Sequence, residues 1–371
     1  MQVTLREIRL PLREPFRISS GVVTERRILL AELMDESGTV AWSECVAGEQ
    51  PNYSYETVDT AWLAVREWFA PRLLGADLHH PAEADAVLGR DVRGHRMARA
   101  TLEMGVWALH ATRENVSLAS LIGGTRQQID VGISLGIQST PDDLAERAAV
   151  ALQEGYRRIK LKIGPGADVE FVAAVRGRLG SEAPLMVDAN NAYRLDDAER
   201  LRLLDSFDLM MIEQPLDHED LASHAELQRL ITTPLCLDES ITSVDRARDM
   251  ISLGSGRIIN IKPGRVGGFA AAIAIHDLCA ASNMPVWCGG MLESGIGRSY
   301  NVALASLPNF SIAGDVSPSS RYWSHDVVVP EWEMSADGTM AVPLHGYGIG
   351  VEVDTPRISH LTVRSEVLRA S

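Results

Sequence analysis

Five short apolar runs in this chain each end in charged or amide side chains. Arg158–Ile163 carries Lys160 and Lys162, and Leu185–Asn190 carries Asp188 and Asn190. Leu209–Pro215 carries Glu213, Pro234–Glu239 carries Asp238 and Glu239, and Arg257–Pro263 carries Lys262. From Lys162 through Asp188, Glu213 and Asp238 to Lys262, the intervals are 26, 25, 25 and 24 residues. Any one of these residues is explained as an ordinary polar strand end. Five in step, in the order base, three acids, base, are not. Three carboxylates brought to one place repel each other unless something positive sits among them. A set of oxygen donors without His or Cys suits a hard divalent cation, Mg²⁺ first and Mn²⁺ as a substitute.

The family resemblance that these residues carry implies removal of a proton from carbon next to a carboxylate. That proton is too weakly acidic for an unaided side chain, because its loss puts a second charge on the carboxylate. A cation on those oxygens stabilises the resulting enediolate. A lysine must be neutral to act as the base. Lys160 lies two residues from Lys162 and so on the same strand face, where its like charge and desolvation are expected to lower the pKa of Lys162.

The runs that position these groups are rich in Ile, Leu, Val and Met and bounded by Gly, Pro or polar residues, as suits strands covered on both faces. Helical patterns lie between them, for example over 196–207 and 243–254. Strand and helix alternating at a fixed short period predict βα units closing into an α/β fold, a (β/α)8-type TIM barrel with its chemistry at the carboxyl ends of the strands. Val131–Ile137 would open the barrel, with Ser134 or Gly136 facing its mouth. Met284–Gly297 would give strand seven and a glycine-rich loop able to approach a ligand closely. Phe310–Asp315 would be strand eight.

The chain has 371 residues, more than the ~250 of a bare barrel. Residues 1 to about 50 read as three antiparallel strands, and residues 54–122 as helices. Between the first two strands, residues 15–22 read as a loop, which with its flank to residue 25 is a candidate lid over the barrel mouth. The tail from 325 to 371 is strand-like and is expected to return to the N-terminal part. The expected organisation is a capping α+β domain over 1–125, the barrel over 126–324, and a returning segment over 325–371.

The net charge of −15 argues against nucleic acid or an anionic membrane as partner. No apolar run reaches the ~18 residues of a membrane span, and the N-terminus shows no signal-peptide pattern. Cys45, Cys236, Cys279 and Cys288 form no CxxC pair. A cytoplasmic location is therefore expected.

These residues resemble the enolase superfamily, and within it the muconate-lactonising-enzyme subgroup. The likeness rests on the Lys160/Lys162 pair, on Asp188, Glu213 and Asp238, and on Lys262, and it covers essentially the whole chain. The segments NIKPGRVGG (260–268) and VWCGGMLESGIGR (286–298) narrow it to the o-succinylbenzoate synthase/N-succinylamino acid racemase family. The resemblance implies a small carboxylate substrate, with Asp188, Glu213 and Asp238 as metal ligands and Lys162 and Lys262 as catalytic bases flanked by Lys160. It implies that Asn190 bonds the intermediate or a ligand carboxylate, that Glu239 orients Lys262, and that Arg265 tunes that lysine. Phe16, Ser20, Tyr53, Ser134, Gly290, Met291 and Leu292 would surround the substrate. Dipeptide epimerases of the subgroup carry Asp-x-Asp where this chain has Asp315-Val-Ser317, which speaks against a free α-amino substrate. Cys288-Gly289 on strand seven speaks against the histidine-dependent dehydration of sugar acids. Muconate cycloisomerisation, or a silent metal- and ligand-binding barrel, are the lesser readings, and symmetric self-assembly is the usual expectation for such enzymes.

Overall fold

The computed structural model describes residues 1–18 and 21–370. Three N-terminal strands, β1 (Gln2–Ile18), β2 (Gly21–Met34) and β3 (Val40–Cys45), form an antiparallel meander. The alternation Val3, Leu5 followed by Ile8, Leu10 buries one row of side chains against the helices. The expected loop over 15–22 is instead the far end of a long hairpin, with Phe16 paired to Val23 and Ile18 to Gly21. Pro15 and the Ser-Ser-Gly sequence resemble a loop, yet the β-branched and apolar residues on either side carry the ladder onward. Ser20 lies outside the described residues.

Seven parallel strands follow, each paired with its sequence neighbour: β4 (Gly132–Leu135), β5 (Arg158–Lys162), β6 (Leu185–Asp188), β7 (Ile212–Glu213), β8 (Leu235–Leu237), β9 (Ile258–Ile261) and β10 (Val286–Cys288). The segment expected as strand eight is not a strand. It makes isolated bridges, Phe310 to Val286 on one edge of the sheet and Gly314 to Val131 beside the other. The Asp315 N–H donates to Cys288 O at 2.9 Å and the Gly132 N–H to Gly314 O at 2.7 Å. The sheet thus curls so that one irregular segment reaches both of its edges. The last strand, β11 (Thr362–Arg369), pairs antiparallel with β1 and completes a four-stranded sheet. A helix at Thr355–Leu361 precedes it, a feature the strand-like reading of the tail omits.

Helices at Pro141–Gln153, Val169–Leu179, Leu221–Leu230, Val244–Leu253 and Phe269–Ala281 cross between successive strands. The connection at 195–207 is broken into a short α turn between two 3₁₀ turns. One parity of each strand (Ile159, Leu161, Val187, Ile212, Leu237, Ile261) joins the large core. The other parity builds a separate apolar floor of Met186, Met211, Cys236, Ile258 and Trp287. Side chains two residues further on share that face, one layer higher. Met186, Met211 and Cys236 are therefore followed by Asp188, Glu213 and Asp238.

Three buried glutamates knit the N-terminal part to later helices by accepting from N–H groups that a helix start leaves unpaired. Glu56 takes Met97 and Ala98, both at 2.9 Å. Glu103 takes Phe269 and Ala270 at 2.8 and 2.9 Å. Glu44 on β3 takes Ser294 and Gly297, each at 3.1 Å. Gly268 is the residue that Glu103 requires. A Cβ there would lie 2.1 Å from the Glu103 carboxylate, and its φ is +117°.

Candidate active site

Above the apolar floor, five acids and five bases are packed out of solvent: Asp188, Glu213, Asp238, Glu239 and Asp315 against Arg158, Lys160, Lys162, Lys262 and Arg265. Lys162 Nζ lies 2.5 Å from Asp188 Oδ2 and donates to Asn190 Oδ1 at 2.6 Å. Lys262 Nζ donates to Asp238 Oδ2 at 2.8 Å and contacts Tyr53 Oη at 3.0 Å. The two lysines thus stand on β5 and just after β9, each holding a different carboxylate. Glu213 lies on β7, between them in strand order. It is held by Lys160 Nζ at 3.1 Å and by Asn260 Nδ2 at 2.7 Å.

Lys160 is shared. Besides Glu213 it contacts Asp315 Oδ2 at 2.5 Å and Asp188 Oδ2 at 3.4 Å. Arg158 also donates to Asp315 and lies over the Trp287 ring, 4.2 Å from its centroid. Burial favours neutral forms, but here the opposite charges outweigh it for several groups. Burial would lower the pKa of Lys160, yet Asp315, Glu213 and Asp188 hold it raised. Burial would lift the Asp315 carboxyl, but Lys160 and Arg158 bring it down to about 2. Asp188 is likewise held below the ordinary carboxylate range by Lys162 and Lys160 against its burial. Glu213 and Glu239 go the other way, raised first by burial and then by the charge of Asp188.

The expected supporting residues are drawn together with one change of partner. Asn190 Nδ2 donates to Glu239 Oε1 at 3.0 Å. Glu239 therefore reaches Lys162 through Asn190, while Lys262 is bonded to Asp238 and Tyr53 rather than to Glu239. Arg265 is fixed by the carbonyls of Ile241 and Asn260 at 2.9 and 2.6 Å, and it contacts both Tyr53 and Asp238. Tyr53, expected against substrate, here joins Lys262, Asp238 and Arg265. Ser134 pairs in register with Lys160 and is 6% exposed, and its hydroxyl has no hydrogen-bond partner among the described residues. Gly290, Met291 and Leu292 are half-buried past β10. The Met291 N–H is tied to Glu293 at 2.8 Å, and Leu292 takes a left-handed φ of 57°. The Phe16 backbone is part of the hairpin.

Gln214, Asn260, Arg158 and the inward role of Asp315 were not singled out from sequence as site residues. Gln214 stands next to Glu213, and Asn260 and Arg158 stand two residues before Lys262 and Lys160; Asp315 has no such neighbour and is marked in the sequence only by the Asp315-Val-Ser317 stretch.

The donor set suits a hard dication. Asp188, Glu213 and Asp238 are at most 1% exposed and offer only oxygen, and the buried Glu239 Oε2 has no hydrogen-bond donor among the described residues. Among the described residues no three acidic, imidazole or thiol groups are gathered to hold an ion as they stand. The lysine heads lie between the carboxylates instead. No described helix is long and apolar enough to cross a membrane.

Comparison with known proteins agrees with this architecture. Residues 1–123 match the mandelate racemase/muconate lactonizing enzyme N-terminal domain, and residues 143–357 the enolase C-terminal domain-like family. The chain is 48% identical to o-succinylbenzoate synthase of Geobacillus kaustophilus, over 97% of this chain and 95% of that one. It is 47% identical to N-succinylamino acid racemase of Amycolatopsis sp, over 94% of each. A crystal structure of an enolase-superfamily member from Listeria innocua Clip11262 superposes with a TM-score of 0.95 at 38% identity, covering 99% of this chain and 98% of that one. The chain belongs to the mandelate racemase/muconate lactonizing enzyme family of the enolase superfamily.

Proposed function

We propose that this enzyme removes the α-proton of a small carboxylate, either an N-acylamino acid or the hydroxylated, not yet aromatic precursor of o-succinylbenzoate, acting as an o-succinylbenzoate synthase, an N-succinyl/N-acylamino acid racemase, or both. The observation that carries the reading is the pair Lys162 and Lys262, at the ends of strands far apart in the sheet order, each hydrogen-bonded to a different member of the Asp188/Glu213/Asp238 trio. Near full-length similarity to relatives named for both activities supports it. In this reading the curled sheet is a (β/α)8-type barrel over 126–324. It is capped by residues 1–125 and by the returning segment 325–371.

Asp188, Glu213 and Asp238 would hold a divalent cation, Mg²⁺ or Mn²⁺. When bound, it supplies Lewis-acid stabilisation of the charge that develops on the substrate carboxylate. The charge count of the buried cluster is consistent with this. With all five acids ionised, the five bases balance them only while every lysine is protonated. A dication together with one substrate carboxylate restores the balance with one lysine neutral, which is the state a general base needs.

Lys162 then takes a proton from one face of the α-carbon, and Lys262 gives or takes one on the other. In the dehydration, Lys162 returns its proton to the departing hydroxyl while Lys262 contributes its positive charge. Asn190 and Glu239 orient Lys162, and Arg265 and Lys160 keep the neighbouring charge positive. Ser134, Tyr53, Gly290, Met291 and Leu292 would contact the substrate and exclude water. Asp315, already shared by Arg158 and Lys160, offers no free carboxylate to an amine, in keeping with an acylated nitrogen.

Dialysis against EDTA should abolish deuterium exchange at the α-carbon of N-succinylamino acids in D₂O, and Mg²⁺ or Mn²⁺ should restore it. A silent ligand-binding barrel would exchange nothing under either condition, and full exchange in metal-free protein would contradict the assignment.

A further inference from the structure

Gln214 is fully buried and has a left-handed φ of 39°, a conformation that costs a residue with a Cβ roughly 1 kcal/mol or more. Its contacts explain why the conformation is kept. The Gln214 N–H donates to Cys236 O on β8, and its carbonyl accepts the Asn191 N–H from the turn after β6, both at 2.9 Å. The side chain reaches on in the same direction. Its Oε1 accepts the Asp238 N–H at 3.0 Å and the Ser240 N–H at 3.2 Å. Its Nε2 donates to Ser240 Oγ at 2.8 Å and to Leu216 O at 3.2 Å. This one residue directly follows Glu213 and is bonded to the turn after Asp188 and to the main chain of Asp238. An extended φ would turn either the carbonyl or the side chain away from its partners.

We infer that Gln214 is a positioning residue that fixes the mutual placement of Asp188, Glu213 and Asp238 before any cation arrives, and so sets the affinity of the trio for it. The inference rests on the metal reading above. Its chemistry is specific: among the described residues the amide oxygen is the only side-chain acceptor for two N–H groups, those of Asp238 and Ser240, where the ligand-bearing loop leaves β8. Without it, the Asp238 N–H loses its acceptor in a buried setting and the loop must turn to find another.

The test uses direct Mn²⁺ binding to the metal-free protein, read by EPR of free Mn²⁺, so that turnover is not involved. Gln214→Met matches the length and removes the acceptor. Its dissociation constant for Mn²⁺ should rise about tenfold or more, the scale on which partners of metal ligands act. Gln214→Glu keeps an oxygen for both N–H groups whether or not it is ionised. It should bind Mn²⁺ at least as tightly as the unaltered protein, even though it loses the amide donor to Ser240 Oγ and to Leu216 O.

A residue that only supports the fold would lower the melting temperature in both variants and leave the Mn²⁺ constants alike. Met within twofold of the unaltered protein, or Glu weakened as much as Met, overturns the inference. A measurement on the unaltered protein covers the case in which Gln214→Met does not fold. The Asp238 and Ser240 amides should be protected from hydrogen exchange without metal, and should change less than threefold when Mn²⁺ is added. Free exchange until metal is added would show that the cation, not Gln214, orders this loop. Absence of Mn²⁺ binding to the unaltered protein would defeat the metal reading, while protected amides would still place Gln214 as the organiser of the loop.

Discussion

Replacing Asp315 by Asn is the perturbation with the largest calculable effect. Arg158 is 0% exposed and Lys160 3%, and both donate to this carboxylate. Removing one member of a buried ion pair costs ~3–5 kcal/mol, because the partner is left charged and uncompensated. Two features place the cost toward the lower end. Lys160 keeps Glu213 and Asp188, at 3.1 and 3.4 Å, and Arg158 keeps its contact with Trp287, worth ~0.5–2 kcal/mol. A loss of about 3 kcal/mol, at an unfolding entropy of ~2.1 cal/mol/K per residue, lowers Tm by ~4 °C in a chain of this length.

The pH dependence follows from the sign of the shift. The Asp315 carboxyl is held down at about 2 in the folded protein, against ~3.9 unfolded. Its stabilisation is complete above the unfolded value and is lost as pH falls through the folded one. The gap between the unaltered protein and Asp315→Asn should therefore narrow below about pH 4. Adding Arg158→Met, which removes a stranded buried cation, should recover at least half of the lost stability at pH 7. Calorimetric scans of the proteins across pH decide it. A difference under ~0.5 kcal/mol at pH 7, the range of ordinary surface changes, would refute the description of Asp315 as the shared counter-charge.

Glu44 predicts the opposite pH trend. Burial first, with the charge of Glu293 adding, lifts its carboxyl to about 8, so it destabilises the fold progressively as pH rises from ~4.5 toward 8. Glu44→Gln, whose amide oxygen still accepts from Ser294 and Gly297, should flatten that part of the stability profile, and an unchanged profile would show that Glu44 is ionised throughout. At Gly289 a Cβ would lie 2.3 Å from Asn260 Oδ1 and 2.6 Å from Lys262 Cε. Gly289→Ala should therefore displace Lys262 and lower kcat for racemisation at least tenfold with little change in Tm, and unchanged kinetics would mean that the loop yields instead.

The parallel sheet and its charged ends were legible because short apolar runs recur every 24–26 residues with helical patterns between them. Each run ends in charged or amide side chains, so Asp188, Glu213 and Asp238 could be placed at one rim before any contact was known. The eighth strand was less legible. Phe310–Asp315 has the apolar content of a strand, but it must serve both sheet edges at once and does so through single bridges. The long hairpin was misread for a related reason, since Pro15 and Gly21 mark a turn without saying how far the ladder continues on either side.

What sequence could not supply was pairing across long separations. Glu44 meets Ser294 across 250 positions and Glu103 meets Phe269 across 166, and nothing local distinguishes these from other glutamates in apolar surroundings. The Asn190–Glu239 hydrogen bond is of the same kind, since the turn after β6 brings together residues 49 positions apart.

The central claim is that Lys162 and Lys262 serve opposite faces of one α-carbon, and α-proton exchange in the single mutants tests it most directly. With N-succinylamino acids in D₂O followed by NMR, Lys262→Ala should lose racemisation yet still exchange the proton of the S enantiomer through Lys162. Lys162→Ala should exchange only the R enantiomer, and it should fail to form o-succinylbenzoate. The selectivity between enantiomers is the decisive reading, because each lysine also stabilises charge and the absolute rates will fall. A single mutant that exchanges both enantiomers equally well would contradict the two-faced arrangement.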